Sequence, residues 1–345
     1  MSFPTHHEQL TNTWLSEALG YPVEDHRVEV FGEGTSIIGM VTRVHLTSAT
    51  GPASIIAKFP SPAAENRAVA ATYDMYRREI MFYRDVAPNI DLRVPQCYYA
   101  EHDEAGEYFV LLMEDLNDWT IGDQVAGCTE EQATALVKGL AAFHANTWNT
   151  PLDIVSHNNP AQRDGMIGGF GVGWPVVCEQ FAELIPTKGA DLGDKVAPCV
   201  PRLLDEMTQA PVCIGHADVR LDNVFFKGDA IALVDWQSVC ITAPEQDLAY
   251  FVTQSLPHDV RNAQDWVALY HQSLTEHLTS QGIEYSLEQC RARYRVCAAY
   301  LLCYAVIISG TLDLANERGM ALGRTLFGNA MQALDELDAF ALFDQ

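Results

Sequence analysis

Apolar and polar positions along the 345-residue chain fall into two regimes: short β-type runs with two helical stretches up to residue 113, and helical stripes beyond it. Residues 10–19 predict a short helix, and residues 28–46 alternate as two strands joined by the stretch F-G-E-G-T-S-I-I-G-M-V. The run A-S-I-I-A-K-F is a strand by its β-branched content, interrupted by the ammonium of Lys58. Residues 66–86 then carry a helical stripe of Val69, Thr72, Tyr76, Tyr83 and Val86, and Glu79 falls on the same stripe. A buried ammonium and a core-facing carboxylate are each costly alone, so the economical solution pairs Lys58 with Glu79. The alternative is two long side chains that snorkel from the edge of the core. Residues 94–100 and 108–113 predict a further hairpin closed by D-E-A-G, whose second strand is apolar on both faces and therefore central in its sheet.

In the second regime Thr129 and Gln132 form a capping-box pattern ahead of a stripe that includes Leu136, Leu140 and Phe143, with His144 beside it as a structural residue. Residues 153–175, rich in Asn and Gly and ending in G-G-F-G-V-G-W-P, read as a long loop. Residues 296–312 form the longest uncharged run; it falls short of a membrane span and reads as a buried helix. The remainder is helical and amphipathic, without internal repeats or low-complexity segments.

Candidate chemistry concentrates in residues 213–237. Residues 224–226 and 231–234 flank Lys227-Gly228-Asp229 as a β-hairpin. A hairpin brings its outer ends together, which sets the amide oxygen of Asn223 beside the carboxylate of Asp235, two hard ligands suited to Mg²⁺. Asp218 precedes Asn223 by five residues, giving the order H-x-D-x-x-x-x-N, hairpin, D. Turn-capping Asx residues around a hairpin would produce the same letters. Earlier in the chain, Gly32, Gly34 and Gly39 would let backbone N–H groups approach phosphates, although a plain hairpin turn explains the first two equally well.

H-A-D-V-R-L-D-N followed by L-V-D-W-Q resembles the catalytic loop and metal-binding Asp of the protein-kinase-like fold, in the version of aminoglycoside phosphotransferases, choline kinases and, most of all, ecdysteroid-kinase-like proteins. S-I-I-A-K-F-P-S-P and Y-R-R-E-I-M-F-Y-R look similar to the same group, and L-L-M-E-D-L resembles the segment between lobes. The resemblance implies an α+β, two-lobed protein-kinase-like fold. A small antiparallel-sheet lobe would cover residues 1–113, a hinge 114–118 and a larger, mainly helical lobe 119–345. It implies Asp218 as the base that orients an acceptor hydroxyl, Arg220 where protein kinases place a phosphate-contacting Lys, and Asn223 and Asp235 on Mg²⁺. His216 would shape the catalytic loop and Asp247, in D-L-A-Y, would brace it. Lys58 and Glu79 would hold the ATP phosphates, backbone groups of Glu114 and Leu116 would meet adenine, and Met113 would line its pocket.

Composition narrows the partners. Against 46 acidic residues stand 21 Lys and Arg, a formal net charge of −25, which argues against nucleic acid or an anionic membrane. Nine cysteines, odd in number and without a C-x-x-C pair, suggest neither a disulfide framework nor a zinc site and fit a reducing cytoplasm. The first ten residues lack the basic and apolar regions of a signal peptide. Within these bounds the resemblance implies an ATP- and Mg²⁺-dependent kinase acting on a small-molecule hydroxyl, with no expectation about oligomeric state. The apolar 165–175 and 296–310 segments favour a largely apolar acceptor, such as a sterol or hydroxyacyl compound, over an aminoglycoside or choline-type one. Two readings of other classes stand beside it: a metal-dependent hydrolase built on His216, Asp218 and Asp222, and a nucleotide-binding protein without turnover.

Overall fold

The computed structural model describes residues 3–31, 38–150 and 153–344. The fold is α+β, with a five-stranded antiparallel sheet in one part and a larger helical part. The chain divides into two compact units, Met1–Trp119 with Leu233–Ser238, and Thr120–Ala232 with Val239–Gln345.

In the first unit, α1 (Asn12–Leu19) is followed by β1 (Asp25–Val30), β2 (Gly39–Thr47) and β3 (Ser54–Pro60), then α2 (Ala64–Thr72), α3 (Met75–Met81), β4 (Cys97–His102) and β5 (Phe109–Glu114). The strand order is β1-β2-β3-β5-β4, so the two most apolar strands lie inside the sheet. Because side chains alternate across a strand, Ile55, Ala57 and Phe59 share one face with Val110 and Leu112, packed with Leu15 of α1 in one core cluster. Lys58 and Phe109 take the other face, where the ring of Tyr76 in α3 stacks on Phe109 at 4.5 Å. Both sides of β3 and β5 are thereby covered.

The single helix expected over residues 66–86 is two helices and a π-turn. Asp74 enters α3 with φ +55°, a left-handed conformation that Asp tolerates better than most residues, and Phe82–Val86 widens into the π-turn. Val69 and Thr72 face solvent, whereas Tyr76, Glu79, Ile80 and Tyr83 are buried. The stripe belongs to α3 and the π-turn, and the break at Asp74 sets their direction independently of α2.

The second unit contains β6 (Thr120–Ile121), α4 (Glu130–Asn146), α5 (Pro160–Gln180), α6 (Leu192–Met207), β7 (Cys213–Gly215), β8 (Val224–Lys227) and β9 (Ala230–Leu233, whose last residue belongs with the first unit). After these come β10 (Cys240–Thr242), α7 (Glu245–Tyr250), α8 (His258–Arg261), α9 (Trp266–Thr279), α10 (Leu287–Thr311) and α11 (Glu317–Glu336). The capping box at α4 is formed, with Thr129 and Gln132 bonding each other's backbone N–H groups. The expected hairpin is β8 and β9, turning at Gly228 with φ +58°. α10 is long and apolar enough to cross a membrane by length and composition, but its apolar residues are largely buried against α5, α6, α7 and α11.

The long loop expected over residues 153–175 is instead mostly α5. Asn159 caps it by accepting the N–H of Gln162 at 3.0 Å, and Pro160 occupies the first turn, where no intrahelical donor is needed. Its glycines serve helix packing. A Cβ on Gly173 would lie 2.6 Å from the carbonyl oxygen of Val306, and one on Gly310 would lie 2.5 Å from the Gly173 Cα, so α5 and α10 approach backbone to backbone. Low helix propensity is outweighed by a contact that larger residues would forbid.

Gly173→Ala is therefore expected to destabilise the protein by about 1–3 kcal/mol through overpacking, despite Ala's better helix propensity. Gly168→Ala and Gly171→Ala, where a Cβ meets open space, should leave stability unchanged or raise it by up to about 1 kcal/mol. Denaturant midpoints of the three variants measure the contrast.

Candidate active site

In the first unit the side chain of Lys58 is 9% exposed and that of Glu79 1%. The Lys58 ammonium donates to Glu79 Oε1 at 2.7 Å and Oε2 at 2.8 Å, and also to Asp235 Oδ1 at 2.8 Å. Burial alone would lower the Lys58 pKa; the carboxylates of Asp235 and Glu79 overcome it and hold the ammonium above its ordinary value. Burial and the neighbouring Asp235 carboxylate push Glu79 upward against the pull of Lys58. Two carboxylates on one ammonium leave the cluster with an excess negative charge, and Asp235, at 26% exposed, is its accessible member.

Asp235 reaches this position through its neighbours. Its own φ is +66°, and the next residue, Trp236, stacks flat on Phe82 of the π-turn with ring centroids 3.7 Å apart and planes 8° from parallel. Trp236 Nε1 donates to the Leu233 carbonyl at 3.2 Å, and the Leu233 N–H donates to the Arg93 carbonyl at 3.1 Å. The Lys58–Asp235 contact spans 177 residues and carries no sequence periodicity; the aromatic pair Phe82–Trp236 was a visible but unassigned signal.

Met113 ends the buried part of β5, with the Tyr83 hydroxyl 3.9 Å from its sulfur. The Glu114 carboxylate is held by Arg93 Nη2, at 2.6 Å from each oxygen, and its N–H donates to the Gln96 carbonyl at 2.8 Å. The Leu116 carbonyl accepts the Trp119 N–H at 3.0 Å. Gly32 and Gly34 lie outside the described residues, while Gly39 opens β2.

In the second unit, β7 pairs antiparallel with β10 (Cys213 opposite Thr242, Gly215 opposite Cys240), which lays the residues after β7 beside the start of α7. Asp247, fully buried, accepts the His216 N–H at 2.7 Å and the Ala217 N–H at 2.8 Å. Ala217 has φ +64°, a strained conformation for a residue with a Cβ, and the carboxylate holds it there. His144 Nε2 is 3.1 Å from Asp247 Oδ2, and its Nδ1 is 2.6 Å from the Tyr270 hydroxyl. A carboxylate only accepts, so His144 Nε2 is the donor in that contact. Burial would raise the Asp247 pKa; the His144 hydrogen bond, the electrostatic influence of the His144 and His216 imidazoles and the His216 N–H together bring it below the ordinary value.

His216 is itself buried, with Nδ1 accepting the Asp218 N–H at 3.2 Å. Asn223 Nδ2 donates to the Asp218 carbonyl and to Asp218 Oδ2, both at 3.0 Å, and Arg220 Nε lies 3.7 Å from Asp218 Oδ1. The loop is tied down by Gln124, which the sequence did not single out: its side-chain oxygen accepts the Leu221 N–H at 2.8 Å, and its own N–H donates to Asp222 at 3.1 Å. Asp222 is thus a backbone anchor and His216 Nδ1 a loop brace. Among the described residues no three His, Cys, Asp or Glu side chains form a group that could hold a metal.

Removing the Asp247 charge should be costly. Asp247→Asn puts an amide donor against N–H groups and is expected to lose about 3–5 kcal/mol at neutral pH. Because the folded pKa of Asp247 is depressed, the carboxylate's contribution is present above its unfolded pKa and is lost as pH falls through the folded value. The stability gap between wild type and variant, measured by urea unfolding, should accordingly narrow in acid below about pH 4.

Residues 41–278, well over half of the chain, match the model of the phosphotransferase enzyme family, APH. No curated protein matches significantly. Among solved structures the chain is similar to choline kinase from Cryptosporidium parvum Iowa II at 10% identity, covering 97% of this chain and 93% of that one with a TM-score of 0.58. It is similar to an ethanolamine kinase of Plasmodium vivax at 12% identity, covering 96% and 87% with a TM-score of 0.50. The GDP complex of a mutant aminoglycoside 2′-phosphotransferase-IIIa is alike at 15% identity, covering 95% and 96%, also with a TM-score of 0.50. At such identities the likeness is one of fold, here the kinase-like fold. With the family match extending from β2 through α9, the chain belongs to the phosphotransferase enzyme family.

Proposed function

We propose that this phosphotransferase is an ATP- and Mg²⁺-dependent kinase of a reducing cytoplasm that transfers the γ-phosphate to an alcohol hydroxyl on a small, largely apolar molecule. The observation that carries it is the buried cluster of Lys58, Glu79 and Asp235. A buried ammonium fixed by a helix carboxylate is a preorganised cation for phosphate oxygens, and the excess carboxylate charge at Asp235 suits a divalent cation. The GDP bound in the mutant 2′-phosphotransferase-IIIa supports nucleotide use.

In this reading Lys58 holds the nucleotide's phosphates, Glu79 holds Lys58, and Asp235 and Asn223 supply oxygens to Mg²⁺. When bound, the ion neutralises phosphate charge. Backbone groups of Glu114 and Leu116 meet adenine beside Met113, Gly32 and Gly34 approach the phosphates, and Arg220 contributes positive charge at the catalytic loop. Asp218, fixed at one oxygen by Asn223, presents the other to the acceptor hydroxyl, whose proton it takes as the phosphoryl group transfers. Catalysis then rests on positioning and charge neutralisation.

The acceptor class is supported by what α5 and α10 leave uncovered. Met166, Ile167, Tyr304, Ile307 and Ile308 are half-buried and Val172 is exposed; all are apolar or aromatic. Much of the apolar character of residues 165–175 and 296–310 is used in packing these two helices on each other, and this remainder is what would meet a ligand.

Asp218→Asn should keep ATP affinity and lose roughly 10²-fold or more in turnover, whereas Lys58→Ala should weaken ATP binding itself. Calorimetric titration with Mg²⁺-ATP and a coupled turnover assay separate the two. Wild-type turnover in Asp218→Asn would remove the base from the mechanism.

Screening sterols, hydroxyacyl thioesters, choline and aminoglycosides for ATP-dependent phosphorylation is expected to select an apolar alcohol. Efficient turnover of an aminoglycoside or choline, with none of an apolar alcohol, would overturn the acceptor class and leave the kinase standing.

A further inference from the structure

α7 presents two polar side chains one helical turn apart, Asp247 and Tyr250, so both point to the same side of the helix. Asp247 grips the backbone of residues 216 and 217. Tyr250 is fully buried, its ring lies edge-on to Tyr304 at 5.9 Å, and its hydroxyl faces the Asp218 carboxylate without a well-aligned hydrogen bond to it. A phenylalanine would fill the same space without burying a polar atom, so the hydroxyl itself requires a reason. The charged or titratable groups that face it are Asp218 and Arg220 of the catalytic loop and Tyr304 of α10. Burial and then the Asp218 charge push the phenol well above its ordinary pKa, so it stays a neutral O–H. Asp218 is in turn faced by Arg220, by the Asn223 amide and, through its backbone N–H, by His216.

We propose that Tyr250 is a positioning residue for Asp218, its hydroxyl donating to the carboxylate as the acceptor binds. With Asn223 it then fixes the carboxylate rotamer, leaving the carboxylate lone pairs that neither donor occupies for the acceptor proton. The donor lies one turn beyond the residue that sets the loop backbone, so α7 orients both the main chain and the side chain of the base. The proposal rests on Asp218 being the base.

The test uses the full chain with Mg²⁺-ATP, first with water as the phosphoryl acceptor and then with the best alcohol of the screen, comparing Tyr250→Phe with Asp218→Asn. Tyr250→Phe is expected to lower kcat about fivefold to tenfold, with KM for ATP unchanged and thermal stability close to that of the wild type. An unchanged kcat, or a loss of kcat that merely follows a lower Tm, would overturn the role of Tyr250 while Asp218→Asn remained inactive. Full activity in Asp218→Asn, or no ATP turnover by the wild type, would instead overturn the kinase reading and this inference with it.

Discussion

A charge taken out of water must find its counter-charge or its hydrogen bonds inside the protein, because the desolvation penalty is several kcal/mol per ion even after relaxation. That constraint organises both units. In the first, the Lys58 ammonium draws together a central strand, the helix after the break at Asp74 and the segment around Asp235. In the second, the Asp247 carboxylate draws together the loop after β7, the end of α4 and the start of α7. Neither ion is fully satisfied by one partner, and each therefore ties three stretches of chain at once.

The two ions differ in what they leave over. Asp247 is saturated: two backbone N–H groups and a histidine ring occupy it, it has no exposure, and its effect is to hold Ala217 in a conformation the backbone would otherwise avoid. The Lys58 cluster has one carboxylate more than it has cations, and that carboxylate is partly exposed. A saturated ion has nothing left to offer a ligand, whereas an unbalanced, partly exposed one still has charge to offer. This contrast separates Asp247 from Asp235 more sharply than sequence position does.

Packing supplies the second constraint. α5 and α10 meet through Gly173, Gly310 and Val306 at distances that exclude a Cβ, which lets a helix form from a glycine-rich sequence of poor intrinsic propensity. The aromatic stack of Phe82 and Trp236 plays the corresponding part in the first unit, carrying Asp235 to Lys58 on a rigid contact.

By itself the sequence determined what depends on neighbours along the chain: the strands of alternating pattern, the capping box at Thr129, the hairpin turn at Gly228, and the Lys58–Glu79 pair, announced by two charges interrupting apolar patterns within 21 residues of each other. These follow from backbone geometry and short-range desolvation, which leave a signature in residue order. Tertiary structure alone decided the rest. That Asp235 joins Lys58, that Gln124 anchors the loop at Leu221, that the 66–86 helix breaks at Asp74, and that residues 160–180 are helix and not loop all depend on groups far apart in the chain. Contacts to backbone N–H groups and approaches that require the absence of a side chain impose no periodicity, so the residues that make them look like any Gln, Asp or Gly until the chain is folded.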